Sequence, residues 1–313
     1  MAKIKVIMPG ILTTVQDHGR IGYQKFGISQ AGVMDEYNYE LANALVGNDV
    51  NEAVLETTFV GPTLEFEDDL TIAITGANMQ PKLDGEAIEN YQSYEVKAGQ
   101  KLSFGKLKEG LRGYIAFGGT FGVEEVNGSK STLLKSQLGG FEGRALKSRD
   151  VIEIHDPVPF KKRILDEKYV PKLSQFAVLR VVFGPQDDAF TEKGKHTFLY
   201  SGGYTLTKNA DRMGMRFNGP ALDFVDGADI ISDATVMGSV QVPAEGKPIV
   251  LMADRQTTGG YTKVATVVTP DLSKLAQLRP GAKVLFDEVT PDEGEAIYKT
   301  YRETLNAIRQ SLK

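Results

Sequence analysis

Residues 71–117 read TIAITGANMQPKLDGEAIENYQSYEVKAGQKLSFGKLKEGLRGYIAF, and this stretch decides the fold class. Short apolar or alternating runs at Thr71–Thr75, Tyr94–Lys97, Lys101–Phe104 and Gly113–Phe117 are separated by turns, and a further run follows at Asp150–Ile154. Strands this short and this closely spaced suit an antiparallel barrel or sandwich rather than a parallel α/β sheet. The 33 glycines and 13 prolines, with little long helical register, point the same way. The reading is therefore mainly β, with few helices. One helix of the first half is clear: Asp35 is an N-cap, Leu41, Ala42 and Leu45 form an apolar face, and Gly47 stands at the C′ position. A second runs from Asp292 to Lys313, with Ile297, Tyr301, Leu305, Ile308 and Leu312 along one stripe that packs on the barrels or on a partner.

At 313 residues the chain exceeds the ~150–200 residues of a usual single core, which predicts two domains. The stretch from His155 to Gln175 carries Pro157, Pro159, Pro171 and the basic run Lys161-Lys162-Arg163, and reads as a linker packed on the surface. It places the domains at 1–160 and 161–313. An internal echo supports two related units: Gly61-Pro-Thr-Leu-Glu-Phe66 resembles Gly219-Pro-Ala-Leu-Asp-Phe224, and Gly99–Phe104 resembles Gly281–Phe286. Without cysteine there is no disulfide, thiolate zinc site or thiol nucleophile. A net charge of −5 argues against nucleic acid or an anionic membrane as partner. No apolar run approaches the ~18 residues of a membrane span, and the N-terminus lacks an apolar signal core, so the expected location is the cytoplasm.

Candidate chemistry concentrates at 248–261. A strand over Pro248–Ala253 runs into Asp254, Arg255, Gln256, Thr257 and Thr258, followed by Gly259, Gly260 and Tyr261. A carboxylate, an amide and two hydroxyls at a strand end form a dense set of hydrogen-bonding groups, and the paired glycines predict positive φ and close approach of a ligand. Thr13-Thr14-Val15-Gln16-Asp17-His18-Gly19-Arg20 repeats that chemistry. Arg20 suits bidentate binding of a carboxylate, or a salt bridge to Asp17. Glu56 ends an apolar run, Glu142 and Arg144 flank a glycine, and Arg212 and Arg216 bracket Gly214. The acid/base candidates are Asp254 and Asp17, ahead of Glu56, and either of the first two could instead orient a neighbouring arginine. The ligand-contact candidates are Arg20, Arg144, Arg212, Gln256, Thr257, Gly259, Gly260 and Tyr261. His18, His155 and His196 show no metal-ligand spacing, so no metal is expected. Gly128-Ser-Lys-Ser131 has the letters of a phosphate loop in the wrong order.

Taken together, Thr13–Asp17 with Gly19-Arg20, Met34-Asp35, Ala42-Asn43, Gly61-Pro62, Gly128-Ser129, Gly139–Arg144, Asp211–Gly214, Gln241-Val-Pro243 and Gln256–Tyr261 resemble the biotin-dependent carboxyltransferase family of the allophanate hydrolase subunit 2 or KipA type, most closely the branch that supplies the C component of 5-oxoprolinase. The resemblance spans nearly the whole chain. It implies two tandem cyclophilin-like β-barrel domains and a protein acting with a KipI-like B component and a lactam-utilisation-like A component. Such an assembly uses ATP to open the lactam of 5-oxoproline to L-glutamate. Relatives within urea carboxylase move a carboxyl group from biotin to urea, and KipA-type proteins antagonise a kinase inhibitor. Lacking a biotin-carrier lysine in a Met-Lys-Met context and any nucleotide motif, the chain implies that carrier and nucleotide sites lie on other chains, or that biotin is not used.

Overall fold

The computed structural model describes every residue, Met1–Lys313. The chain divides into two compact units, one of Met1–Ile21, Ala31–Leu173 and Thr304–Lys313, the other of Gly22–Gln30 and Ser174–Glu303. Both are mainly β, as the strand spacing implied. The proline-rich stretch is bonded into the first unit: the backbones of Ser93 and Arg163 meet at 2.9 Å, and Leu165 N donates to Tyr91 O at 2.9 Å.

The first unit holds β1 (Ala2–Met8), β2 (Leu12–Gln16), α1 (Glu36–Val46), β3 (Val54–Thr58), β4 (Thr63–Phe66), β5 (Leu70–Asn78), β6 (Pro81–Leu83), β7 (Glu86–Ala87), β8 (Ser93–Val96), β9 (Lys101–Phe104), β10 (Glu109–Phe117), β11 (Thr120–Phe121) and β12 (Val151–His155). They form a seven-stranded sheet, β11-β12-β1-β4-β9-β6-β7, and a five-stranded sheet, β2-β3-β10-β5-β8. Ile4, Val6, Leu64 and Phe66 of the larger sheet share one buried cluster with Val15, Leu55, Ile74 and Ile115 of the smaller. The intervening residues on the smaller sheet are Thr14, Glu56, Tyr114 and Thr75, which are successive cross-strand partners. Because side chains alternate along a strand, these four form one row on the face away from the core. That face meets α1, where Thr75 Oγ1 donates to Asn38 O at 2.6 Å. The helix ends are as read from sequence: Asp35 Oδ1 accepts from Asn38 N at 3.1 Å, and Gly47 takes a φ of 82°.

The second unit continues with β13 (Phe176–Phe183), α2 (Glu192–Tyr200), β14 (Tyr204–Leu206), β15 (Gly214–Asn218), β16 (Asp229–Ala234), β17 (Ser239–Gln241), β18 (Ile249–Leu251), β19 (Thr258–Tyr261), β20 (Lys263–Val267), α3 (Thr269–Ala276) and β21 (Lys283–Glu288), and α4 (Pro291–Ser311) follows. Seven strands close a barrel in the order β13-β20-β17-β18-β15-β14-β21, its ring completed by the parallel pair β13 and β21. Phe198 of α2 stacks on Phe286 with centroids 4.4 Å apart. Outside the barrel, β16 and β19 form a two-stranded ribbon with Asp233 opposite Gly259.

Two sequence expectations change, and an alternative left open is decided. Gly259 and Gly260 lie within β19 and are absent from the positive-φ positions, so they are no turn. Crowding explains the first of them, since a Cβ on Gly259 would stand 2.3 Å from Gln241 Nε2. The echo survives in one of its two marks. Gly99 and Gly281, at φ 88° and 92°, each lead into a strand and donate to a neighbouring carbonyl, Phe66 O and Leu206 O. By contrast Thr63–Phe66 is a strand and 219–224 is not. Finally, Leu305, Ile308 and Leu312 of the C-terminal stripe are buried, so this part of it needs no partner to cover it. Within the first unit Arg163 Nε holds Leu312 O at 2.7 Å, and Lys161 Nζ donates to Lys313 O.

Ile115 is fully buried between the two sheets. Ile115→Ala is expected to lower unfolding free energy by about 2–5 kcal/mol in denaturant titration, the cost of a lost buried side chain plus its cavity. A loss under ~1 kcal/mol would mean the sheets do not share a packed core.

Candidate functional site

In the first unit the end of β2 builds one cluster. Asp17 is 7% exposed and its carboxylate accepts from Gly19 N at 2.8 Å, Ser129 Oγ at 2.6 Å, Lys130 N at 2.6 Å and Ser131 Oγ at 2.5 Å. The loop whose letters resemble a phosphate loop thus wraps a carboxylate of its own chain, which physically excludes a phosphate there. Arg20 Nη2 donates to Ser131 O. A Cβ on Gly139 would meet that nitrogen at 2.0 Å, so only glycine leaves room for the guanidinium. Asp17 and Arg20 therefore converge on Ser131, which the sequence did not single out as a site residue.

Glu56 sits in the polar row. Its Oε2 accepts from Met34 N at 2.8 Å and Tyr114 Oη at 2.9 Å, with Arg112 Nε 4.0 Å from Oε1. Complete burial, with the Glu56 charge second, holds the Tyr114 phenol well above its ordinary range. Asn38 Oδ1 accepts from Tyr91 Oη at 2.9 Å and Gly76 N at 3.0 Å, joining α1 to β5. Tyr37, pushed up to about 12 by burial and then by Asp35, donates to Tyr169 O at 2.7 Å. Arg144 stands apart from these groups, paired with Asp150 at 2.7 Å and Glu142 at 2.6 Å.

Folding also juxtaposes His18, Glu36 and Glu40, whose ligand atoms lie within 4.8 Å of one another. One comes from the loop after β2 and two from successive turns of α1, a set linear spacing does not reveal. One imidazole and two carboxylates suit a divalent cation chemically. The expectation of no metal rested on spacing alone.

In the second unit Arg212 and Asp254 form a bidentate pair, Nε to Oδ2 at 3.0 Å and Nη2 to Oδ1 at 2.8 Å, with side chains 7% and 9% exposed. Asp254 thus orients an arginine. Its neighbour Arg255 is 4% exposed and makes no salt bridge; it donates to Met252 O at 3.4 Å and Gln30 Oε1 at 3.1 Å. Burial lowers its basicity to about 10. Residues 22–30 brace this segment, with Gln24 Nε2 on Thr235 O and Thr257 O at 2.7 and 2.9 Å and Ser29 Oγ on Arg255 O at 2.7 Å. Gln256 Nε2 donates to Gln241 Oε1 at 2.9 Å. Thr257, Gly259, Gly260 and Tyr261 run into the ribbon, where Tyr261 is 42% exposed. Sequence reading missed Lys263 and Asp233, whose charges meet at 2.9 Å.

The family described as carboxyltransferase domain, subdomain A and B, matches residues 26–288. The chain belongs to that family. It is 36% identical to a Haemophilus influenzae protein named as the C subunit of 5-oxoprolinase, over 95% of this chain and 94% of that one. An Escherichia coli protein of the same name is 38% identical over 93% and 92%. Among solved structures, the K. lactis urea amidolyase superposes with a TM-score of 0.93 at 28% identity, covering 98% of this chain and 20% of the much longer relative.

Two adjacent buried charges in this family member make opposite expectations. Asp254→Asn leaves the Arg212 cation without its carboxylate and is expected to cost about 3 kcal/mol or more. Arg255→Met removes a buried cation that has no carboxylate and is expected to raise stability by about 1 kcal/mol. Denaturant titration of both variants reads this, and shifts of equal sign would refute the account of their charges.

Proposed function

We propose that this chain is the C subunit of a cytoplasmic 5-oxoprolinase, an ATP-using assembly that opens the lactam of 5-oxoproline to L-glutamate together with its A and B components. The observation that carries this reading is its likeness, at 36% and 38% identity over almost the whole of both chains, to two proteins of that name. The chemistry of the second unit supports it. A lactam edge offers one donor and one acceptor, and carboxamides offer both in return. Gln241 and Gln256 stand together beside Gly259, where no side chain intervenes. Arg212, Gln256, Thr257, Gly259, Gly260 and Tyr261 form the proposed substrate-binding set here; Arg20 and Arg144, in the first unit, are proposed as separate ligand contacts. Asp254, Asp17 and Glu56 act as carboxylates that hold Arg212, the Ser129–Ser131 loop and Tyr114 in place.

The ATP chemistry is assigned to the assembly and not to a site on this chain. The loop at 128–131 is filled by Asp17. Gly118-Gly119 leads into the two-residue strand β11 and not into a helix. A second reading, a carboxyltransferase component of an amide carboxylase, is favoured by the TM-score of 0.93 with urea amidolyase. In that reading biotin arrives on another chain as a carboxyl donor.

The discriminating measurement is glutamate formation from 5-oxoproline and ATP by the purified chain alone and with its A and B partners. The chain alone is expected to be inactive and the reconstituted assembly active. Equal turnover by the isolated chain would overturn the reading of this protein as one part of an assembly. An assembly that carboxylates urea from carboxybiotin, and leaves 5-oxoproline intact, would decide for the second.

A further inference from the structure

Lys263 opens β20 at the rim of the barrel and is 2% exposed. Its ammonium meets one carboxylate, Asp233 Oδ2 at 2.9 Å. That carboxylate is half exposed and stands outside the barrel, on the β16–β19 ribbon. Gln186 ties the two together, accepting from Lys263 N at 3.1 Å and donating to Asp233 Oδ2 at 3.3 Å. Hydrogen bonding to Lys263 holds the Asp233 carboxyl below its ordinary range, so that carboxylate is ionised at neutral pH.

The direct cross-strand partner of Lys263 is Gln241 on β17. Neighbours so related stand side by side on one face of a sheet. Gln241 is 3% exposed, its Oε1 is taken by Gln256, and its Nε2 is buried without a hydrogen-bond partner. An amide donor buried without an acceptor is a standing cost to the fold, as is an ammonium removed from water. Both fall on cross-strand partners, and Gln241 lies against Gly259, where a Cβ would stand 2.3 Å from its Nε2. Asp233 lies opposite Gly259 in the ribbon register. A cationic donor and a neutral N–H side by side match the two oxygens of one carboxylate.

We propose that Lys263 Nζ and Gln241 Nε2 form a binding site for the carboxylate of a small organic acid, and that Asp233 occupies the ammonium in the ligand's place until the ligand displaces it. The exchange keeps one carboxylate on the lysine and releases Asp233 to water, where its half-exposed position already places it. It also supplies the acceptor that Gln241 lacks. A short carboxylic acid carrying an amide or lactam suits the whole cluster, with its carboxylate on Lys263 and its amide beside Gln256. The choice of lactam rests on the functional reading above, whereas the carboxylate site does not.

The test titrates the full-length chain with propionate and with L-5-oxoproline, following binding by calorimetry and by amide chemical shifts of residues 233, 241 and 263. Both acids are expected to bind. Asp233→Asn, a change at a half-exposed residue, is expected to tighten both by about tenfold because the internal competitor loses its charge. Lys263→Met is expected to abolish binding and Lys263→Arg to retain part of it. Affinities of Asp233→Asn within twofold of the parent would overturn the proposal, as would no binding of either acid to Asp233→Asn at ~100 mM. The Asp233→Asn outcome decides even if Lys263→Met does not fold. Tenfold gain for propionate with no binding of 5-oxoproline would uphold the carboxylate site and count against the lactam substrate.

Discussion

Along β2, β3, β10 and β5 each residue that enters the apolar core has a neighbour that cannot. Val15, Leu55, Ile115 and Ile74 face the opposite sheet, so Thr14, Glu56, Tyr114 and Thr75 must face the other way. That second face is closed off as well, and a buried carboxylate and phenol survive there only with every polar atom placed against a donor or acceptor. The N-cap of α1, the backbone of Met34 and the carboxamide of Asn38 supply those partners. Polar complementarity thus holds the helix in addition to its buried apolar residues Leu41, Ala42 and Leu45. A slip of one residue in β3 or β10 would put Glu56 or Tyr114 into the core, and one in β2 or β5 a threonine.

The second unit meets the same demand unevenly. Arg212 and Asp254 satisfy each other in a two-pronged pair. Arg255, next in sequence, is left with carbonyl and carboxamide oxygens, and Gln241 with a donor to spare. Folded proteins tolerate such imperfections chiefly where a ligand completes them. Gln241 and Arg255 lie on β17 and in the segment 252–256, close to the stretch that sequence composition marked as unusually polar.

What could be read from sequence follows the range of the interactions. The caps of α1 lie within the helix itself, and both were legible. Strand positions followed from alternation, and the turn glycines Gly99 and Gly281 announced themselves by position. The pairings that make sites join residues far apart: Asp17 to Ser129, Glu56 to Tyr114, Lys263 to Asp233. No local spacing encodes these, so Asp17 and Glu56 were found as carboxylates while their partners were not. Gly259 and Gly260 illustrate the opposite error. Adjacent glycines read as a turn, and only the position of the Gln241 carboxamide shows that the first of them is small for lack of space. Family resemblance reached further than spacing because it carries such distant pairings implicitly.

The division of the chain has a consequence for biosynthesis. Residues 22–30 belong with the second unit although they precede most of the first, and residues 304–313 belong with the first although they follow the whole of the second. Neither unit is one continuous run of chain. The early strands must therefore wait, with the positions covered by Leu305, Ile308 and Leu312 open, until the chain of the second unit has been made. Vectorial folding, in which an N-terminal domain is complete before the next begins, is closed to this molecule.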